Sequence, residues 1–79
     1  MNKFYFTFGT SKFYPYYGGW VEVIANDSEE AAAKFRKKYP DRNIGFINCA
    51  FLYTEDEWKR TGIAQKGSNH GHGCHEVIE

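Results

Sequence analysis

The side chains best suited to chemistry lie close together near the carboxyl end of the chain. His70, His72, Cys74 and His75 place four potential metal ligands within six residues. Zinc binds histidine nitrogen and cysteine sulfur in tetrahedral geometry, and in an extended segment His70, His72 and Cys74 would point to the same side. The spacing matches no standard zinc motif, and the intervening glycines make the segment costly to order. The pattern therefore favours a flexible tail, with a zinc site as the alternative.

Cys74 beside His75 also raises the question of a nucleophile and its base. Adjacent residues of a strand point to opposite faces, so this pair cannot easily reach hydrogen-bonding distance. The chain has no glycine-rich phosphate loop either. Cys49 lies in an apolar run, which predicts a small core residue rather than a reactive thiol. We therefore expect that the protein is not an enzyme.

An aromatic loop after the first predicted strand is the best candidate for a binding surface. Its predicted partner-binding residues are Phe13, Tyr14, Tyr16 and Tyr17, together with Trp20. Tyrosine is favoured in recognition sites because it adds a large area and a hydroxyl at low entropy cost. The rings could equally stack on a nucleotide base. The competing interpretation, equally well supported, is that they close the end of a small core.

A basic cluster could also meet an acidic partner, although a solvated helix end is the favoured explanation. It comprises Lys34, Arg36, Lys37, Lys38 and Arg42.

Local patterns in the sequence predict the strands and helices that carry these residues. Alternation predicts strands at residues 3–8 and 20–25, with Phe4, Phe6 and Phe8 on one face. A capping signal at Asp27 predicts a helix that runs to about Lys38. Residues 46–53 are apolar on both faces and are predicted to form a central strand.

The remainder of the chain is predicted to hold a short helix and a last strand. Thr54 and Glu57 form a capping box for a helix that carries Trp58 and ends at Gly62. Residues 65–73 are expected to be mobile, and residues 74–78 to add a short strand. The predicted class is α+β, a small antiparallel or mixed sheet of three to four strands with two helices on one face. The order is β-β-α-β-α with a final β, in one domain of core residues 1–64 and a glycine-rich segment 65–79.

Composition excludes several classes of function. The formal net charge is zero, which argues against a general nucleic-acid binder. No apolar run approaches the roughly 20 residues that span a bilayer, and the amino terminus lacks the features of a signal peptide. We expect a cytoplasmic protein that does not act at a membrane, with both cysteines reduced.

Several blocks of sequence resemble small proteins carried by phages and prophages of Gram-positive bacteria. The opening block is KFYFTFG at residues 3–9, and the others are residues 19–23, 31–40, 48–51, 53–58 and 74–78. The resemblance implies a bacterial cell as the setting. It also implies a protein that binds and blocks a host factor, including host defence systems.

The function predicted from the sequence is a protein-binding module that inhibits a host or defence protein. The alternative is a small-ligand protein that binds a nucleotide or zinc through the aromatic loop or the histidine and cysteine tail. The sequence leaves the oligomeric state open. A homodimer is one option, because the first strand is apolar on both faces and an exposed aromatic edge can pair with another chain.

Overall fold

The computed structural model describes residues 1–79 as a four-stranded mixed sheet covered by short helices. The predicted α+β class is confirmed, and a third short helix joins the two that were expected. The elements are β1 Asn2–Thr7, β2 Trp20–Ala25, α1 Ser28–Lys38, β3 Phe51–Thr54, α2 Glu55–Thr61, α3 Ile63–Lys66 and β4 Cys74–Ile78. None of the three helices combines the length and the apolar character that a membrane crossing requires.

The sheet order is β3-β1-β2-β4, which places the aromatic first strand in the middle. β1 pairs antiparallel with both β2 and β3, and β4 pairs parallel with β2. The prediction that the third strand is central is wrong, because β3 lies at an edge. The first strand also offers no free edge for pairing with a second copy, since β2 and β3 occupy both edges of β1; a homodimer formed in another way stays untested.

The third strand is also shorter than predicted, because residues 46–50 leave the sheet. The Phe46 amide donates to the Asn43 carbonyl at 3.1 Å, which closes a turn around Gly45. Gly45 adopts a φ of 84°, a left-handed conformation that glycine reaches without penalty. The apolar run that predicted one long strand is therefore divided between a loop and an edge strand.

Two aromatic stacks hold helices against opposite faces of the sheet. Phe6 stacks on Phe35 of α1, with ring centroids 4.3 Å apart. Tyr5 stacks on Trp58 of α2, with ring centroids 4.6 Å apart. Because neighbouring residues of a strand point to opposite faces, α1 and α2 must lie on different sides. The prediction that both helices cover one face is wrong, since the second face carries aromatic side chains that also need burial.

The predicted helix starts are confirmed by their capping bonds. Asp27 accepts a hydrogen bond from the Glu30 amide at 2.8 Å, and α1 ends at Lys38 as expected. At α2, Thr54 and Glu57 exchange both bonds of a capping box, at 3.3 and 2.9 Å. The amide of Thr54 stabilises the ionised carboxylate and so lowers the pKa of Glu57.

The glycine-rich segment is bound to the sheet, contrary to the expectation of mobility. The Asn69 side chain donates to the carbonyls of Phe8 and Gly19 at 3.1 and 3.0 Å. The amide of Gly19 donates in turn to the Asn69 carbonyl at 2.8 Å. Asn69 therefore anchors the return of the chain to β4 at the end of the β1–β2 pair.

Candidate functional site

The histidine and cysteine tail does not form the ligand set that its spacing predicted. Residues 69–72 form a turn, with a positive φ of 52° at His70, so His70, His72 and Cys74 do not extend along one side. No group of three or more histidine, cysteine, aspartate or glutamate side chains is placed to hold a metal ion. Cys74 is exposed, and its sulfur lies 3.4 Å from the Glu76 carbonyl. The structure therefore brings no zinc site together at these residues.

A bulge in β4 directs His75 into a structural role. Trp20 pairs with Cys74 and Val21 with Glu76, which leaves His75 as the extra residue. The His75 ring stacks on Tyr16 at a centroid distance of 3.7 Å. Its Nε2 atom lies 2.9 Å from the Gly18 carbonyl. His75 thus links the aromatic loop to β4 through its contacts with Tyr16 and Gly18.

Glu76 reinforces this attachment through a chain of hydrogen bonds. It accepts from the Tyr39 hydroxyl and pairs with Lys38 at 3.1 Å. The hydroxyl of Tyr16 lies 3.3 Å from that of Tyr39. The hydrogen bond from Tyr39, with the nearby Lys38 ammonium, lowers the pKa of Glu76, while burial and the bond to Glu76 raise the pKa of Tyr39. We call Tyr16, Tyr39, His75 and Glu76 the tyrosine clasp.

The structure divides the aromatic loop between core and surface. Tyr14 and Tyr16 are half-buried and pack against the main core. Phe13 is 66% exposed, and Tyr17 is also exposed. The core interpretation is therefore confirmed for Tyr14 and Tyr16, while a binding role for Phe13 and Tyr17 stays a prediction.

Trp20 does not belong to the predicted binding surface. It is only 9% exposed and packs against Trp58, with ring centroids 5.0 Å apart. Its inclusion among the partner-binding residues is wrong, because α2 covers the face of the sheet on which Trp20 lies.

An open groove of about 310 Å³ lies between the aromatic loop and the loop that follows α1. We call it the Phe13–Phe46 groove. Its lining residues are Ser11, Phe13 and Tyr14 from the first loop, and Arg42, Asn43, Phe46, Ile47, Asn48 and Cys49 from the second. Phe46 is 72% exposed, and the neighbouring Ile44 side chain is fully exposed. The groove therefore presents apolar rings to solvent among polar groups.

The groove is lined by one thiol, and that thiol is not activated. Cys49 is its one thiol, and burial raises the pKa of Cys49 to about 12. The thiol is therefore protonated at neutral pH and a poor nucleophile. Cys49 also belongs to the main core, as the sequence predicted. The remaining lining groups offer apolar area, amides, hydroxyls and one guanidinium.

One side of the groove was predicted from the sequence, and the other was not. Phe13 and Tyr14 were among the predicted binding residues, whereas Phe46 was assigned to a strand. Two signals mark the loop: Asn48 is polar within the apolar run, and Gly45 directly precedes Phe46. Both are typical of a segment that leaves a sheet.

Comparison with protein-family models, curated proteins and solved structures gives no match to this chain. The candidate site therefore depends on the geometry of its own residues. The resemblance to phage and prophage proteins depends on the sequence blocks alone.

Proposed function

We propose that this protein is a small binding module that accepts an apolar segment of another protein in the Phe13–Phe46 groove. The observation that carries the proposal is the exposure of Phe13 and Phe46 on either side of one concave surface. A chain of this length buries only about 60% of its unfolded surface and needs large side chains inside. Exposed apolar groups rimmed by polar ones are typical of interaction sites.

The size of the groove favours a protein segment over a buried small ligand. Its volume of about 310 Å³ is at the lower end of the roughly 300–1,000 Å³ that enclose a drug-sized molecule. Such a space accommodates one or two side chains of a longer segment. The rest of that segment would lie over the exposed rings of Phe13 and Phe46.

The class of partner that we propose is a host protein, which the module would inhibit in the bacterial cytoplasm. This part of the proposal is supported by the resemblance to phage and prophage proteins. Binding would inhibit the host protein if the segment held in the groove is one that the host protein needs for its own activity.

The proposal is tested by affinity capture from bacterial lysate with the immobilised protein. Phe46→Ala and Phe13→Ala are expected to lose a partner that the wild type retains. Phe51→Ala is the matched control, because Phe51 is 64% exposed but does not line the groove. A partner retained by both groove variants, or lost equally by the control, would contradict the proposal.

A nucleotide ligand is the second candidate, because the same groove offers suitable polar groups. Arg42 could meet a phosphate, while the exposed side-chain amide of Asn43 could meet a base edge between aromatic rings. A ligand that binds only the folded state raises the melting temperature. A panel of nucleotides that leaves the melting temperature unchanged at millimolar concentration would exclude this candidate.

A further inference from the structure

We infer that the segment accepted by the Phe13–Phe46 groove carries acidic side chains next to its apolar residue. This inference deepens the proposed function and rests on it. It comes from two cations beside the groove, Lys12 and Arg42, neither of which takes part in an ion pair.

The structure separates the basic cluster into cations that are paired and cations that are free. Lys34 lies 3.4 Å from Glu30 and donates to the Ile24 carbonyl at 2.8 Å. Arg36 pairs with Asp41, and Lys38 with Glu76 of the tyrosine clasp. These are the three ion pairs of the protein, and neither Lys37 nor Arg42 takes part in any of them.

Arg42 is the unpaired cation that lies in the groove. It is exposed, and it is the one charged residue among the nine that line this surface. The closest carboxylate in sequence, Asp41, accepts from Arg36 Nε through both oxygens, at 3.1 and 3.0 Å. Because Arg36 compensates the charge of Asp41, the guanidinium of Arg42 stays available for an outside partner.

A second unpaired cation, Lys12, lies on the opposite side of the groove. The Lys12 ammonium lies 5.9 Å from the centroid of the Phe13 ring and is in no ion pair. The apolar rings are thus bracketed by a lysine from one loop and an arginine from the other. The lining contains no carboxylate that could attract a basic segment.

This arrangement selects for an apolar side chain flanked by aspartate or glutamate. Arginine binds a carboxylate with two parallel hydrogen bonds, a geometry that fixes the orientation of a segment. A basic segment would place like charges together, which opposes binding. Because the net charge of the whole chain is zero, the preference comes from the groove itself and not from a long-range field.

The test selects binders from a random peptide library against the immobilised full-length protein. The expected consensus is an aromatic or aliphatic residue with aspartate or glutamate on one or both sides. The best peptide is then compared with its amide counterpart, in which asparagine and glutamine replace the acids. The amide form is expected to bind about fivefold more weakly, as one or two partly exposed ion pairs imply.

Matched variants assign this difference to the groove. Arg42→Ala is expected to remove most of the difference between the acidic and amide peptides. Arg60→Ala, which changes an exposed arginine on the helix of the other face, is expected to preserve it. Raising the salt concentration from about 0.1 to about 1 M shortens the Debye length from about 10 to about 3 Å and should weaken the acidic peptide alone.

The outcomes separate the inference from the proposed function. Neutral or basic peptides whose binding is lost in Phe46→Ala would overturn the acidic preference and leave the binding module intact. Acidic peptides that bind equally well to Arg42→Ala would also overturn it. A selection that gives no peptide dependent on Phe13 or Phe46 would overturn the inference and the proposed function together.

Discussion

One substitution, phenylalanine to alanine, should have very different effects at two positions of this chain. Phe35 is fully buried and stacks on Phe6, whereas Phe46 is 72% exposed beside the groove. A buried phenylalanine removes roughly 150–250 Å² from water, worth about 4–6 kcal/mol at about 25 cal/mol per Å². Measured costs of Phe→Ala in cores are about 3–5 kcal/mol. We therefore expect Phe35→Ala to lower the free energy of unfolding by about 3–5 kcal/mol.

The same arithmetic gives a small effect for Phe46→Ala. Slightly more than a quarter of its side chain is covered, so the loss should not exceed about 1–2 kcal/mol. A domain of 79 residues has a total stability of about 4–12 kcal/mol. Phe35→Ala therefore removes a large part of that stability, while Phe46→Ala leaves a folded protein whose binding can be measured.

Urea unfolding followed by tryptophan fluorescence measures both variants. Trp20 and Trp58 are buried together against β1, so their emission reports on the intact sheet. With unchanged denaturant dependence, the shift in midpoint gives the loss of stability. A loss in Phe46→Ala as large as that in Phe35→Ala would show that Phe46 is a structural residue. The proposal of a binding surface would then lose the observation that supports it.

The remaining predictions concern a carboxylate, a backbone position and the tail. Because the native pKa of Glu76 lies below its ordinary value of 4.5, its stabilisation is present above that value and is lost as the pH falls toward the native pKa. In Glu76→Gln the urea midpoint should therefore fall less steeply with decreasing pH than in the wild type. An equally steep fall in both proteins would argue against the hydrogen bond from Tyr39. Gly19→Ala should lower the melting temperature more than Gly67→Ala. Gly19 and Gly67 adopt similar left-handed φ angles, +73° and +75°, but an added Cβ would meet neighbouring atoms only at Gly19. Equal decreases in melting temperature for the two variants would contradict this prediction. Native mass spectrometry with added zinc should show no stoichiometric adduct, whereas an adduct lost in Cys74→Ser would restore the zinc alternative.

The elements predicted best from the sequence are those with local signals. The alternation of β2 gave its limits, and Asp27 and Thr54 marked the starts of both main helices because a cap acts on residues three positions away. The class of fold followed from the order of these elements. None of these features needs information from a distant part of the chain.

The features that were missed depend on contacts between distant residues. An apolar run does not by itself distinguish a buried strand from a loop, so Phe46 was placed in the sheet. The burial of Trp20 depends on Trp58, which arrives much later in the chain. The orientation of His75 depends on a bulge in a parallel pairing with β2, and no local signal fixes that register.

Site-specific photo-crosslinking shows whether a partner lies in the Phe13–Phe46 groove. A photo-reactive phenylalanine analogue is placed at position 46, or at position 51 as the matched exposed control. The bacterial cells that produce the protein are then irradiated. We expect a covalent adduct with one protein partner from position 46 and none from position 51. The same adduct from both positions, or none from position 46 while the partner is still captured, would contradict binding in the Phe13–Phe46 groove.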